Sequence, residues 1–227
     1  MVRRAACLLE RDDERESLAS ACAAARRGEG EVVLVSGPVG IGKTALLRAG
    51  LADARAAGLP THLARASEPE GFLAFSVLRQ LFEPALARLT APERDLLFAG
   101  PARLAREALE PLGISATRTP DADISITHSL YRLCVNLAGR GPLVLAVDDL
   151  QWADLASQRW IAYLARRIDA LPVLLVVSLR TESRPAARAA ELELSALAGA
   201  RTLRPAPLSV DAVRTITQEV HGPDPAE

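Results

Sequence analysis

The sequence of 227 residues is nearly devoid of lysine: Lys43 is the only one among 27 basic residues. Switch proteins that read guanine do so with an Asn-Lys-x-Asp motif, which requires a lysine preceded by asparagine. Lys43 instead follows Gly42 and precedes Thr44. The chain therefore cannot carry that motif, and a GTPase of the switch type is excluded.

Cysteine and histidine are also scarce, with three residues of each type. The cysteines are odd in number and widely spaced, and they are Cys7, Cys22 and Cys134. Such spacing fits neither a disulfide framework nor a metal site and favours small buried thiols in a reducing compartment. The histidines do not cluster, so we expect no histidine metal centre.

Neither an excess of charge nor a long hydrophobic run is present. The net charge is −1 and the pI is about 6.3, so the basic footprint of a nucleic-acid-binding protein is missing. The longest apolar run, Leu171 to Leu179, has the length of a strand and contains Pro172. We therefore expect no membrane span and no signal peptide, and a cytoplasmic location.

One glycine-rich loop matches the phosphate-binding pattern Gly-x-x-x-x-Gly-Lys-Ser/Thr at every fixed position. It consists of Gly37, Pro38, Val39, Gly40, Ile41, Gly42, Lys43 and Thr44. An apolar, β-branched stretch, Glu31 to Ser36, precedes it, and a helix-forming stretch that begins with Ala45 follows it. Strand, loop and helix in this order are the context that the pattern requires.

The residue types in this loop predict how it binds ATP or ADP. Its glycines let successive backbone N–H groups point at phosphate oxygens, and the start of the helix, including Ala45, adds the positive end of its dipole. Lys43 is expected to contact the β- and γ-phosphates, and the Thr44 hydroxyl is expected to ligate Mg²⁺.

Two acids close the next apolar strand, Leu143 to Val147. We expect Asp148 to hold Mg²⁺ opposite Thr44, either directly or through a ligand of the ion, and Asp149 to orient the attacking water. Many ATPases carry glutamate at the position of Asp149, and misplacing a catalytic group by about 1 Å can lower a rate ~10²-fold. The sequence thus predicts slow hydrolysis. Glu68 or Glu70 remains open as the acid that orients the water.

Two arginines are further site candidates. Arg180 closes the strand Val173 to Leu179 and is expected to contact the γ-phosphate and report its presence. Arg11 and its apolar neighbours could face the adenine, although no pattern in the sequence shows this. Trp152 and Asp154 are interpreted as structural residues that pack against and cap the helix that follows them.

The alternation of strands and helices predicts an α/β protein with a doubly wound parallel sheet of about five strands, that is, a P-loop NTPase. The second strand is predicted at 61–66 and a short fifth at 201–203, with helices over 12–27, 43–57, 75–88, 121–138, 153–168 and 185–198. Residues 67–140 are predicted to be a helical insertion between the second and third strands. Within one ATPase domain over 1–227, residues 204–227 begin a truncated lid or linker. Asp13 and Glu16 resemble a capping box at the start of the first helix.

Several stretches together resemble the N-terminal AAA-type ATPase module of the large LuxR-type, MalT-like transcriptional regulators, which are STAND-class P-loop ATPases. They are LLER at 8–11, the glycine loop, FLAFSVLRQLFEP at 72–84, VDDLQWAD at 147–154, VVSLRTE at 176–182 and PLS at 207–209. The resemblance covers nearly the whole chain, and VDDLQWAD is its most specific part.

The resemblance implies a regulatory module that uses ATP as a switch. Family members are implied to be several times longer, with a winged-helix segment, a sensor region and a C-terminal helix-turn-helix. We expect this chain to bind nucleotide, to be capable of self-association, and not to bind DNA directly or associate with a membrane. The alternatives are an active P-loop motor, a kinase-like phosphotransferase with Arg184 and Arg188 as lid candidates, and a fragment that binds nothing.

Overall fold

Five parallel strands form one sheet in the computed structural model, which describes residues 8–109, 120–181, 191–197 and 199–221. The strands are β1 (Glu31–Gly37), β2 (Thr61–Arg65), β3 (Leu143–Asp148), β4 (Val173–Arg180) and β5 (Arg201–Leu203). Their order across the sheet is β2-β3-β4-β1-β5, and every neighbouring pair is parallel. The predicted fold class is confirmed, including the short fifth strand.

Strands β1, β3 and β4 are buried on both faces of the sheet, which explains their runs of valine and leucine. Successive side chains of a strand point to opposite faces. In β1, Val32 and Leu34 therefore pack into one hydrophobic core, while Val33 and Val35 pack into the other. Two cores on the two faces of one parallel sheet define a doubly wound arrangement.

Helices cover both faces of the sheet. They are α1 (Asp12–Arg26), α2 (Lys43–Ala56), α3 (Ser76–Leu86), α4 (Ala91–Leu97), α5 (Ala105–Leu109), α6 (Pro120–Ala138), α7 (Leu155–Ala165) and α8 (Val210–His221). Helices α1 and α2 pack on one face, whereas α3, α5, α6 and α7 pack on the other. Half of the helix predicted over 185–198 lies outside the described residues; in the other half, 191–197, residues 191–195 are helical.

The segment between β2 and β3 is helical, as predicted. Its described residues, up to 109 and from 120 onward, contain α3 to α6 and two short 3-10 turns, Glu68–Glu70 and Gly100–Ala102. Its helices bury their apolar sides against α7 and the sheet; the Phe82 and Trp160 rings, for example, meet edge to face with centroids 5.5 Å apart. The insertion thereby completes the core on one face of the sheet.

The capping box predicted at Asp13 and Glu16 is wrong. Helix α1 begins at Asp12, the predicted first residue, so its N-cap is Arg11, two residues before Asp13, and the Arg11 side chain makes no capping hydrogen bond. Asp12 and Asp13 then lie in the first turn, where a negative charge interacts favourably with the helix dipole. The capping role of Asp154 is confirmed, because its Oδ1 accepts a hydrogen bond of 2.9 Å from the Ser157 N–H at the start of α7.

Two of the cysteines can be placed in the structure. Cys22 and Cys134 are buried free thiols, whereas Cys7 lies outside the described residues. Burial raises the pKa of Cys134 to about 12, so that thiol stays protonated. Among the helices of the described ranges, none combines the length and the hydropathy that crossing a membrane demands.

Candidate functional site

The carboxyl ends of the three central strands bring the predicted site residues together. In the sheet register, Gly37 at the end of β1 lies opposite Arg180 at the end of β4. Strand β3, which ends at Asp148, is the other neighbour of β4. Ligands of doubly wound sheets bind at this edge, because the strands and the following loops open a crevice there.

The loop between β1 and α2 has the backbone geometry that phosphate binding requires. Gly40 and Gly42 have φ angles of 82° and 97°, a region in which a side chain would be strained. Gly42 is the N-cap of α2, which begins at Lys43. The N–H groups of the first helical turn, for which an α-helix supplies no acceptor of its own, are therefore presented at the end of this loop, where they can bind an anion.

Lys43 is buried under the loop that precedes it. Its Nζ donates hydrogen bonds of 2.8 Å and 2.7 Å to the carbonyl oxygens of Gly37 and Pro38. Only 7% of the residue is exposed. A buried ammonium group needs such partners, and anionic phosphate oxygens are stronger acceptors than neutral carbonyls. The ammonium thus lies where a phosphate group could compete for it.

The two residues predicted to hold Mg²⁺ are in direct contact. The Thr44 hydroxyl donates a hydrogen bond of 2.8 Å to Asp148 Oδ2, and the Ser178 hydroxyl donates one of 2.6 Å to Asp148 Oδ1. A hydroxyl and a carboxylate provide the hard oxygen ligands that Mg²⁺ prefers, so this donor set fits the ion. Sequence reasoning missed Ser178, although it is a polar residue inside an apolar strand.

Asp149 has an unusual backbone and a carboxylate that accepts three hydrogen bonds. Its φ of 58° lies in the left-handed region, which is uncommon for non-glycine residues, although aspartate adopts it more readily than most. Its N–H donates a hydrogen bond of 2.8 Å to Ser178 Oγ. Arg180 Nε and Nη2 lie 3.1 Å from Oδ1 and 3.3 Å from Oδ2, and Gln151 Nε2 lies 2.8 Å from Oδ1.

The environment of Asp149 favours its charged form. Burial would raise the pKa of this carboxyl, but the hydrogen bonds from Arg180 and Gln151 and the positive charges of Arg180 and Lys43 outweigh burial and hold the pKa below its ordinary value. The carboxylate therefore remains ionised near neutral pH, as a proton acceptor must.

Gln151 is a second site residue that sequence reasoning missed. It lies in the 3-10 turn Leu150–Trp152 directly after the two acids. While its Nε2 donates to Asp149, its Oε1 accepts a hydrogen bond of 3.2 Å from the Arg180 N–H. Its place inside the VDDLQWAD stretch was the available signal, but only the contact between the ends of β3 and β4 shows what it touches.

A polar cleft of about 460 Å³ opens beside Asp149 and Arg180. Its walls also include Glu68 and Glu70, so the alternative acids lie on the same cleft as Asp149. Arg65, another wall residue, places its Nε 4.0 Å from Asp148 Oδ2. The lid candidates Arg184 and Arg188 lie outside the described residues.

Arg11 joins the phosphate loop to the segment that follows β5. Only 4% of the residue is exposed, and its guanidinium donates to the carbonyl oxygens of Ala206 at 2.6 Å and Ile41 at 3.4 Å. The neighbouring Glu10 carboxylate accepts hydrogen bonds from the Ser209 N–H at 2.8 Å and the Ser209 hydroxyl at 2.5 Å. We call these contacts the N-terminal clamp: Glu10 and Arg11 with Ile41, Ala206 and Ser209.

Known proteins resemble this chain over most of its length. It is 30% identical over 196 residues to the uncharacterized protein R02095 of Rhizobium meliloti (strain 1021), a match that covers 76% of this chain. The matched region is 18% of that protein, so the chain spans about a fifth of the relative's length.

Solved structures show similar folds at low sequence identity. The crystal structure of Cdc6p from Pyrobaculum aerophilum has a TM-score of 0.54 and 15% identity, and the match covers 93% of this chain and 49% of that one. Aeropyrum pernix Orc1, solved in complex with DNA, has a TM-score of 0.47 and 20% identity, covering 92% of this chain and 48% of that one. A STAND protein with a tetratricopeptide repeat sensor from Pyrococcus horikoshii has a TM-score of 0.45 and 16% identity, covering 89% and 25%. The Cdc6p likeness supports the fold alone.

The model of one protein family matches residues 8–177 of the chain. This stretch runs from the turn before α1 into β4, and it includes the glycine loop, Lys43, Thr44 and the two acids at the end of β3. The match agrees with a parallel α/β sheet that gathers these residues at one edge. The chain belongs to the AAA ATPase domain family.

Proposed function

We propose that the chain is an ATP- and Mg²⁺-binding regulatory ATPase module of a LuxR-type transcriptional regulator. In this proposal, slow hydrolysis resets a conformational switch. The observation that carries it is the juxtaposition of a glycine loop containing Lys43 with the Thr44–Asp148 contact and the Asp149–Arg180 ion pair. Phosphate binding, metal binding and water activation need these groups side by side.

Each residue has a distinct role in this proposal. The loop N–H groups and Lys43 bind the phosphates, and Thr44 and Asp148 hold the metal ion. The bound Mg²⁺ would supply positive charge that offsets charge on the phosphates. Asp149 orients a water molecule and accepts its proton, while Arg180 contacts the γ-phosphate.

The engaged state of Asp149 supports slow hydrolysis. Both of its carboxylate oxygens accept hydrogen bonds from Arg180, and Gln151 donates a further one. Hydrogen bonds to the charged form make a carboxylate a weaker base, so it accepts a proton from water less readily. Its side chain is also one methylene shorter than glutamate, which increases the distance it must span.

The N-terminal clamp supports a regulatory use of the site. Arg11 contacts both the phosphate loop and the segment that leads to α8. A change in the conformation of the loop can therefore alter the position of that helix. We propose that residues 1–227 form one ATPase domain with the insertion at 67–140, and that 204–227 begin a lid or linker. DNA binding and the control of transcription would then be carried out by regions outside this chain, as the resemblance to LuxR-type regulators implies.

Calorimetric titration of the wild type with ATP, ADP and Mg²⁺ tests the binding step. Lys43→Ala removes a charge-assisted hydrogen bond worth about 1.5–3 kcal/mol, so the affinity for ATP should fall more than about tenfold with the fold retained. Arg48→Ala is the matched control, because Arg48 is an exposed cation on the same helix. Equal affinities of wild type and Lys43→Ala would contradict the proposal.

A further inference from the structure

The side-chain amide of Gln151 bridges the ends of two neighbouring strands. Its Nε2 donates to Asp149 Oδ1 at 2.8 Å, just after β3, and its Oε1 accepts from the Arg180 N–H at 3.2 Å, at the end of β4. An uncharged amide can donate and accept at once, a combination that neither a carboxylate nor an ammonium group offers. The bridge thus connects the carboxylate of one candidate catalytic residue to the main chain of the other.

The main chain of Asp149 is already fixed without Gln151. The hydrogen bond from its N–H to the Ser178 hydroxyl holds the backbone in place, at a φ of 58°. The orientation of its carboxylate depends on side-chain contacts, and the described ones come from Arg180 and Gln151. These two contacts respond differently to an anion.

An anionic phosphate would compete with Asp149 for the Arg180 guanidinium, since both are charged acceptors. The hydrogen bond from Gln151 has an uncharged donor, so an anion competes for it less strongly than for the guanidinium, and it comes from the turn two residues along the chain. It does not have to be broken when the guanidinium turns away. The Arg180 main chain also stays attached to Gln151 while its side chain moves.

From this geometry we propose that Gln151 is a positioning residue for ATP hydrolysis. It keeps the Asp149 carboxylate aimed into the site after Arg180 has turned towards the γ-phosphate, and it holds the end of β4 in register with that carboxylate. Gln151 acts through Asp149 and Arg180 and has no contact with the substrate. The inference rests on the proposed ATPase function.

Two substitutions test the two hydrogen bonds of the Gln151 amide. Gln151→Met keeps the length of the side chain and removes both hydrogen bonds, whereas Gln151→Glu keeps an acceptor for the Arg180 N–H but cannot donate to Asp149. The matched control is Gln158→Met, because the Gln158 amide donates to the Ala153 carbonyl oxygen at 2.7 Å and takes no part in the contacts of Asp149.

The measurements are single-turnover and steady-state ATP hydrolysis, calorimetric affinity for ATP, and thermal melting. Because misplacement of a catalytic group by about 1 Å can cost ~10²-fold, we expect kcat to fall at least about tenfold in both Gln151 variants. KM and the affinity for ATP should stay within about twofold of wild type, the pattern of an interaction needed only in the transition state. Gln158→Met should leave kcat unchanged.

Several results would overturn this role. A rise in KM at constant kcat would show that Gln151 contributes to ground-state binding of ATP. An equal loss of kcat in Gln158→Met would show that the loss in the Gln151 variants reflects general stability. Wild-type protein that binds ATP without single-turnover hydrolysis would also overturn it. Wild-type protein that binds no ATP would instead overturn the proposed function itself. If Gln151→Met melts early, Gln151→Glu alone decides between these outcomes.

Discussion

Two hydrogen-bond networks flank the phosphate loop, and they differ in burial and in the way the chain builds them. The first, which we call the strand-end network, comprises Thr44, Asp148, Asp149, Gln151, Ser178 and Arg180. Apart from Thr44, its members come from β3, β4 and the turn after β3, and their mutual position follows from one pair of adjacent strands. The N-terminal clamp joins residues from opposite ends of the chain.

The difference in burial indicates different uses. Asp148 and Ser178 are 2% and 0% exposed, so their hydrogen bonds cannot be replaced by water. In the clamp, Arg11 is only 4% exposed, but the Glu10–Ser209 contact is exposed, so water can compete for that contact. A buried network suits the rigid geometry that chemistry needs, whereas an exposed contact between distant segments suits a reversible connection. Each prediction below acts on one network and leaves the other intact.

The largest effect is expected at Asp149. Asp149→Asn removes the proton acceptor, and general bases contribute typically 10²–10⁴-fold to a rate, so kcat should fall at least about 10²-fold. The affinity for ATP should be retained, because Asp149 lies outside the phosphate loop. Hydrolysis and calorimetric titration measure the two effects. If Asp149→Asn hydrolyses ATP as fast as wild type, Glu68→Gln and Glu70→Gln become the variants to test.

A smaller effect is expected at Arg180. Arg180→Ala should weaken ATP binding by about tenfold and leave ADP binding unchanged, because a lost hydrogen bond to a charged group costs about 1.5–3 kcal/mol and only ATP carries the γ-phosphate. Competition between ATP and ADP for a fluorescent nucleotide measures this preference. Arg48→Ala is the control, since Arg48 is an exposed arginine on α2. An unchanged preference would remove Arg180 from the phosphate site.

One serine in each network allows the contributions of the two networks to stability to be compared. Ser178→Ala leaves Asp148 Oδ1 and the Asp149 N–H without a partner, which should cost about 1–3 kcal/mol of unfolding free energy. Ser209→Ala removes the hydroxyl contact to Glu10 and the bond from the Ala212 N–H, and should cost about 1 kcal/mol or less. Urea unfolding of both variants gives the two values. A larger loss for Ser209→Ala would reverse the proposed ranking of the networks.

The smallest effect is expected at Glu10, the carboxylate of the clamp. Hydrogen bonds from Ser209 lower the pKa of Glu10 below its ordinary value of 4.5. Since the pKa is lowered in the folded state, the clamp stabilises the protein above pH 4.5, and this contribution is lost as the pH falls through the folded pKa. The difference in melting temperature between wild type and Glu10→Gln should therefore shrink below pH 4.5. A difference that is constant with pH would contradict the role of the Glu10 charge.

Most of the strand-end network could be found from local patterns. Apolar runs that end in Asp148-Asp149 and in Arg180, with a glycine loop upstream, place these residues at one edge of a parallel sheet. The pairing of Asp149 with Arg180 could not be found in this way, because it depends on β3 and β4 being neighbours in the order β2-β3-β4-β1-β5. No local pattern encodes that order.

The capping box predicted at Asp13 and Glu16 failed for a related reason. The spacing of Asp13 and Glu16 is typical of a capping box, but the helix begins at Asp12. Arg11 takes the N-cap position, and its side chain binds carbonyl oxygens of the phosphate loop and of the segment after β5. The contact between Arg11 and Ala206 joins residues near the two ends of the chain. The local capping preference does not include such a contact, and here the N-cap is the residue that makes it.

The sequence by itself determined the strands, most helix positions, the phosphate loop and the two acids, because hydrophobic periodicity, glycine conformation and motif spacing are properties of short stretches. Only the tertiary structure decided the partners of Asp149, the bridging position of Gln151, the role of Ser178 and the clamp at Arg11. These depend on which strands and segments become neighbours. That choice is made by the packing of two hydrophobic cores across the whole chain, and no single stretch contains it.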